Sequence, residues 1–502
     1  MTCGNAGWLR SETVAGSGRH QAAVAAGDHQ TVGAALTVLR TGGNAVDAAV
    51  AAGCAAAVAE PGLTSLGGGG FLLCRTPDGG TELLDFFVDT PGRGLPTEDL
   101  TPHFTPVTVD FSGAEQVFHA GYGSVAVPGV LPGYLAAHRR LGRLPLADVV
   151  GPAATLARRG AVLSPTQAEV LQLLRDIFGL TAEASDLFLV AGEPPAAGGR
   201  LVNPAYADFL EELGRLDPDG WPDVPEAAPT VALMRQHDGL LTADDLDAYR
   251  VHQRDPHQVQ YRGATLTTNP PPSFGGAIVG RSLVEVEREH AARRPTAADL
   301  VHALHAATTA QKGEPTLPTS SKGTTHVSVV DAEGMVVSMT TSNGSCSGVV
   351  VPGTGVQLTN MMGEADLHPG GFHGASPGTR VASMMAPSLL DLPDGSVVAI
   401  GSGGSERIRS ALLQTIVRLV AGDPLAEAVD APRVHFDGET AQLEHDVPQE
   451  VASELAGQLP VNRWTRPSLY FGGVNAVRRH PDGRLEAAGD TRRHGAGIVV
   501  DL

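Results

Sequence analysis

The chain has 502 residues, of which 42% are hydrophobic, 18% charged and 4% aromatic, so it has material for a large core and is not a disordered chain. Its 55 acidic residues against 35 basic ones give a formal charge of −20, which repels phosphate backbones and anionic bilayers and argues against nucleic-acid or membrane partners. Four cysteines (Cys3, Cys54, Cys74, Cys346) form no CxxC pair and no ligand spacing, which argues against a disulfide scaffold or a structural zinc site; neither metal nor cofactor is expected.

The N-terminal stretch MTCGNAGWLRSETVAGSGRH has neither the basic start nor the apolar stretch of a secretory signal. No apolar run reaches the roughly 18 residues that span a bilayer, so a cytoplasmic protein is expected. Residues 31–59 are Ala-rich with helical spacing and stop at Glu60-Pro61-Gly62 before Leu66-Gly67-Gly68-Gly69-Gly70-Phe71-Leu72-Leu73. That order reads as helix, glycine loop and buried strand, the glycines admitting close approach by a ligand or by another chain segment. Residues 131–164 and 165–180 are helical in pattern, and 183–225, rich in Pro, Ala, Gly and acids, reads as a surface loop.

A strand over 264–269 is followed by Pro270-Pro271-Pro272-Ser273-Phe274-Gly275-Gly276 and a helix over 278–293. The polar, Pro-bearing stretch 313–323 reads as a linker. Beyond it the pattern turns to strands: a hairpin of 324–330 and 335–341 around Asp331-Ala332-Glu333-Gly334, then 355–359 and 396–400. Gly401-Ser402-Gly403-Gly404-Ser405 leads into an amphipathic helix over 406–420. A strand, a glycine turn and a helix start make an anion-binding geometry, but this spacing is neither GxGxxG nor a P-loop and implies no nucleotide.

The stretch Gly323-Thr324-Thr325-His326-Val327-Ser328-Val329-Val330-Asp331 puts a small residue and a hydroxyl where the linker enters a strand. Were the Gly323–Thr324 bond cut, Thr324 would carry both a nucleophile and its own base. An α-amine with a pKa of about 7.7–8 is matched to take the hydroxyl proton near neutrality. A threonine at a strand start is equally a structural residue, and spacing alone leaves the two readings open.

Seven stretches, in order, resemble the γ-glutamyltranspeptidase family: Gly42-Gly43-Asn44-Ala45-Val46-Asp47-Ala48-Ala49, Glu60-Pro61 to Gly70-Phe71, Ser124 to Gly129, Leu241-Thr242-Ala243-Asp244-Asp245-Leu246, Asn269 to Ser273, Gly323-Thr324-Thr325-His326, and Gly401-Ser402-Gly403-Gly404. The resemblance implies an α+β fold, the four-layer αββα sandwich of N-terminal-nucleophile hydrolases. It also implies one precursor that cleaves itself between Gly323 and Thr324 into a large subunit, 1–323, and a small one, 324–502, acting on a small molecule; a homodimer is left open.

By that resemblance Thr324 is the nucleophile, Ser342 the hydroxyl that supports it, and the backbone NH groups of Gly404 and Ser405 the oxyanion hole. The family's substrate contacts fall on Phe87, Gly344, Met361, Glu364, Ser383 and Met384. The departures carry information. The family's carboxylate-binding Arg looks like Phe87, its α-amine contacts fall on Gly344, Met361 and Glu364, of which Glu364 alone still suits an amine, and a Ser-Ser pair reads Ser383-Met384. Such a pocket is apolar and lacks the glutamyl clamp, with Arg93 or Arg380 as replacement charges unless they are exposed. The leading expectation is an amide or acyl hydrolase working through a Thr324 acyl-enzyme that turns over γ-glutamyl compounds poorly. A carbon–carbon bond hydrolase of a bacterial secondary-metabolite pathway, a genuine γ-glutamyl enzyme and a non-catalytic relative are its rivals. His326, His302 and His305 read as ordinary core or surface histidines.

Overall fold

The computed structural model describes residues 20–96, 100, 103–110, 115–216, 227–312, 323–368 and 371–502. Two antiparallel sheets lie face to face. The first has the order β13-β1-β7-β8-β2-β3-β4, built from β1 (Gln21–Ala26), β2 (Gly69–Arg75), β3 (Thr81–Phe86), β4 (His252–Arg254), β7 (Gly323–Val330), β8 (Val336–Gly344) and β13 (Ala496–Asp501). The second, β12-β11-β10-β9-β6-β5, is built from β5 (His257–Tyr261), β6 (Ala264–Thr268), β9 (Ser388–Asp391), β10 (Val397–Gly403), β11 (Gly473–Arg479) and β12 (Leu485–Gly489).

Between the sheets lies a core that includes Ala23, Phe71, Leu73, Leu389, Ala399 and Val477. Outside the first sheet pack α1 (His29–Arg40), α2 (Ala45–Ala59), α3 (Val130–Leu141), α4 (Leu146–Arg159) and α6 (Pro204–Leu213); outside the second pack α7 (Gly275–His290), α8 (Ala297–Lys312) and α9 (Arg407–Val420). The layers therefore run helix, sheet, sheet, helix, as expected. No helix among the described residues is long and apolar enough to cross a membrane.

Residues 20–312 supply four strands of the first sheet and two of the second, and residues 323–502 supply the rest. Both halves thus share both sheets and one inter-sheet core, and a cut before Thr324 would leave two interlocked pieces rather than two domains.

Several sequence motifs hold this frame. Asn44 caps α2, accepting from Val46 and Asp47 at 3.0 Å while Asp47 returns a bond to the Asn44 NH at 3.1 Å. Thr242 and Asp245 form a second capping box, and Asp245 also takes the NH groups of Gly92 and Arg93 at 2.8 and 3.0 Å. The glycine run serves close chain packing: a Cβ on Gly67 would stand 2.2 Å from the Gln357 carbonyl oxygen, and one on Gly68 2.1 Å from that of Ser342.

Three expectations are corrected. The stretch 183–225 is not a continuous loop, because it contains α5 (Ala182–Phe188), begun just upstream, and α6, where Pro204 opens the helix, Asn203 caps it, and Tyr206, Phe209 and Leu210 are buried. The strand over 355–359 shrinks to Val356–Gln357. The helix over 278–293 begins earlier, at Gly275. The linker lies outside the described residues except for Gly323, which is already part of β7.

Candidate active site

Strand β7 alternates as a strand between two layers must. Val327 and Val329 join the helix-side core, while Ser328 donates across to the carbonyls of Ala399 and Asn475 at 3.2 and 3.1 Å. Thr325, on the helix side, donates to Glu60 at 2.5 Å. Thr324, in phase with His326 and Ser328, belongs to the face turned toward the second sheet, and it is 4% exposed.

The ladder between β7 and β8 is irregular at this point: Gly323 faces Gly344 and Thr325 faces Thr341, so β8 carries one residue too many across from Thr324. The bulge turns the Ser342 hydroxyl inward. It donates to the Gly323 carbonyl and accepts from the Gly344 NH at 3.0 Å. Ser342 was expected to support the Thr324 hydroxyl; it sits instead on the carbonyl of the peptide bond just before it.

From the other sheet, β10 delivers the glycine turn. Gly401 packs on the His326 ring, and a Cβ on Gly403 would stand 2.1 Å from the Thr324 carbonyl oxygen. Gly404 then takes φ 123° and Ser405 φ 54° before α9 begins at Arg407. Ser405 thus holds a left-handed conformation that costs a non-glycine residue on the order of 1 kcal/mol. The turn and the nucleophile candidate, 80 positions apart in sequence, meet because β10 packs over β7.

Two charged residues that motif reading did not single out stand at the start of β7, Arg493 on Thr324 and Glu60 on Thr325. Arg493, buried, donates to the Thr324 carbonyl at 3.3 Å and to that of Leu469 at 3.2 Å. Burial, helped by the charge of Arg407, pulls its pKa down to about 10. Glu60, at the end of α2, is fully buried and accepts from Thr325 and, at 2.8 Å, from Thr31. Burial pushes its carboxyl up to about 7 against those two hydrogen bonds. Glu60 lay inside a quoted motif, but nothing in its spacing said that it would face the Thr324 strand; Arg493 lies in no quoted motif.

The expected substrate contacts divide into three groups. Gly344 and Glu364 are together at the end of β8, where a Cβ on Gly344 would stand 2.7 Å from the Glu364 Oε1. Phe87 and Met361 lie in the inter-sheet core, Phe87 stacked on Phe71 with ring centres 5.6 Å apart. Met384 packs with Ile278 on the far side of the second sheet, and Ser383 accepts from the Met385 NH at 3.1 Å. The two methionines therefore do not share one pocket wall, because the second sheet lies between the clusters they belong to.

Arg380 is not an exposed residue. Its side chain is 7% exposed, pairs with Asp85 at 3.2 Å and Asp89 at 2.9 Å, lies 5.0 Å from the Tyr249 ring centre, and donates to the Phe87 carbonyl. Two carboxylates occupy this guanidinium, which leaves it no room to replace the missing clamp. His326 bonds Thr340 at 2.7 Å and Ser328 at 2.9 Å, and burial drives its pKa to about 3, so it is a neutral core residue. His302 and His305 lie on the exposed side of α8.

The gamma-glutamyltranspeptidase family model matches residues 31–313 and 286–500. The acylase ACY 1 proenzyme of Pseudomonas sp. (strain SE83) is 32% identical, over 93% of this chain and 91% of its own length. The glutathione hydrolase proenzyme of Escherichia coli (strain K12) is 29% identical, over 94% and 90%. Among solved structures, the cephalosporin acylase from Bacillus halodurans superposes with a TM-score of 0.82 over 99% of this chain and 98% of its own, at 24% identity, a likeness of fold.

Proposed function

The chain belongs to the gamma-glutamyltranspeptidase family and is an enzyme of the N-terminal-nucleophile hydrolase class, and on that premise we propose that it cuts itself between Gly323 and Thr324 and then hydrolyses an amide or related acyl bond of a small molecule through an acyl-enzyme on Thr324. The observation that carries this is the convergence on the two peptide groups that flank Thr324: the Ser342 hydroxyl on the Gly323 carbonyl and the Gly403 turn against the Thr324 carbonyl.

In the first reaction the Thr324 hydroxyl attacks the Gly323 carbonyl carbon, the C–N bond breaks, and water releases the resulting ester, leaving a Gly323 carboxylate and a free Thr324 amine. Ser342, already donating to that carbonyl oxygen, is placed to hold the negative charge that develops there. In the second, the new amine takes the hydroxyl proton as Thr324 Oγ1 attacks the substrate carbonyl and returns it to the leaving amine. Water then opens the acyl-enzyme. The NH groups of Gly404 and Ser405 serve as donors to the oxyanion.

Glutathione is not the substrate in this reading. Phe87 stands where the family resemblance puts an Arg, and Arg380, whose guanidinium reaches the Phe87 main chain, is held by Asp85 and Asp89. A glutamyl carboxylate without its guanidinium loses on the order of 2–5 kcal/mol. The acylase-type relative supports an acyl substrate instead.

Intact mass after expression tests the proposal. The wild type should give two chains, 1–323 and 324–502, Thr324→Ala one, and an activated acyl ester should add its acyl mass to the 324–502 chain alone. Cleavage or acylation that survives Thr324→Ala would overturn it.

A further inference from the structure

Beside β7, a narrow, partly open cleft lies at the Gly323 end of the strand. Its walls are apolar, formed by Leu63, Val170, Leu173, Leu174 and Leu469, with Thr166, which bonds His494 at 3.1 Å, and two further polar members, Arg493 and Ser345. These two are nearly fully buried, at 5% and 1% exposure. Each carries a polar atom, Arg493 Nε and Ser345 Oγ, that finds no hydrogen-bond partner among the described residues.

A buried donor left without a partner costs about 1–3 kcal/mol, more for a charged group, so such a donor is completed by water, an ion or a ligand. Two such groups on one apolar cleft, next to the same Thr324 whose carbonyl Arg493 touches, describe a recognition site with an oxygen-binding end and a greasy wall. Burial pulls the Arg493 pKa down, with the charges of Arg407 and Arg433 adding to the shift and those of Asp490 and Glu60 opposing it. An anion beside it would oppose that shift.

We infer that this cleft binds the carboxylate-bearing aliphatic part of a substrate or product, its oxygens on Arg493 and Ser345 and its chain along Leu63, Val170, Leu173, Leu174 and Leu469. The carboxylate is either the acid released from the Thr324 acyl-enzyme or a second carboxylate on a larger substrate. The inference deepens the acyl-hydrolase reading and rests on it for the role of Thr324, but the binding chemistry belongs to the cleft alone.

The test is calorimetric titration of the processed wild-type protein with hexanoate, butyrate and hexylammonium. Hexanoate should bind with a negative heat-capacity change, tighter than butyrate, and hexylammonium should not compete. Leu173→Glu, at a half-buried lining position, places a carboxylate against the ligand and should weaken hexanoate about tenfold or more. Arg493→Lys, which keeps the charge but loses the planar donor set, should also weaken it. Circular dichroism and intact mass report whether each variant is folded and processed.

Absent hexanoate binding, equal binding of hexylammonium, or a folded Leu173→Glu protein with wild-type affinity would overturn the inference while leaving self-cleavage and acylation of Thr324 untouched. Hexanoate binding by a protein whose Thr324 takes no acyl group would uphold the cleft and sink the nucleophile. To separate the two carboxylate sources, monoacyl anilides and ω-carboxyacyl anilides of matched length are compared. A preference for the ω-carboxyacyl series that Arg493→Lys removes assigns the second carboxylate; equal rates with product inhibition by hexanoate assign the released acid.

Discussion

Ser342→Ala removes a single oxygen with two jobs: it donates to the Gly323 carbonyl, the carbonyl attacked in self-cleavage, and it accepts the Gly344 NH at 3.0 Å. Loss of one donor to a developing oxyanion costs about 10²–10³ in rate. The stranded Gly344 NH, buried within β8, costs a further 1–3 kcal/mol or so of stability. The variant should therefore fold with a lowered melting temperature and persist as an uncut chain for at least about a hundred times longer than the wild type. The assay follows precursor and products by denaturing gel and intact mass after a synchronised refolding step. Ser342→Thr keeps the hydroxyl and should restore most of the rate. Cleavage of folded Ser342→Ala at the wild-type rate would refute the reasoning, because the hydrogen bond to Gly323 would then be a bystander.

Gly403→Ala puts a methyl 2.1 Å from the Thr324 carbonyl oxygen, well inside contact distance, and a displacement of about 1 Å at the nucleophile should lower kcat/KM on the order of 10²-fold; Gly33→Ala, whose added carbon meets nothing within 4 Å, is the control and should leave it unchanged. Glu60 keeps its proton in the folded state between its ordinary 4.5 and about 7, so its contribution to stability is full below about 4.5 and is lost as pH rises to 7. Urea unfolding should show Glu60→Gln gaining on the wild type across that window, by up to about 3 kcal/mol, and a difference that does not change with pH would contradict this. Phe87→Arg would bury a guanidinium in the Phe71 stack, so thermal unfolding should show a loss of several kcal/mol with no gain in γ-glutamyl anilide turnover; a stable variant with raised kcat/KM would restore the glutamyl pocket.

The local alternation and capping of this chain are written in the sequence. The apolar-polar period of 324–330 and 335–341 gave a hairpin, and the glycine turn before 406 a strand-to-helix junction, because each depends on residues a few positions apart; the 31–59 stretch, read as one helix, is two, parted at Thr41–Asn44. Motif order carried the family and, with it, the layered fold. Pairing across layers lay beyond that reach. The bulge that turns Ser342 onto Gly323 depends on the register of two strands, and the fate of Arg380 on two aspartates far from it in sequence. Which side of the second sheet Met361 and Met384 fall on, and that Glu60 and Arg493 would meet the start of β7, follow from how two sheets and their helices stack. Burial decides the charge of such groups, and burial is a property of the packed layers rather than of any stretch of chain.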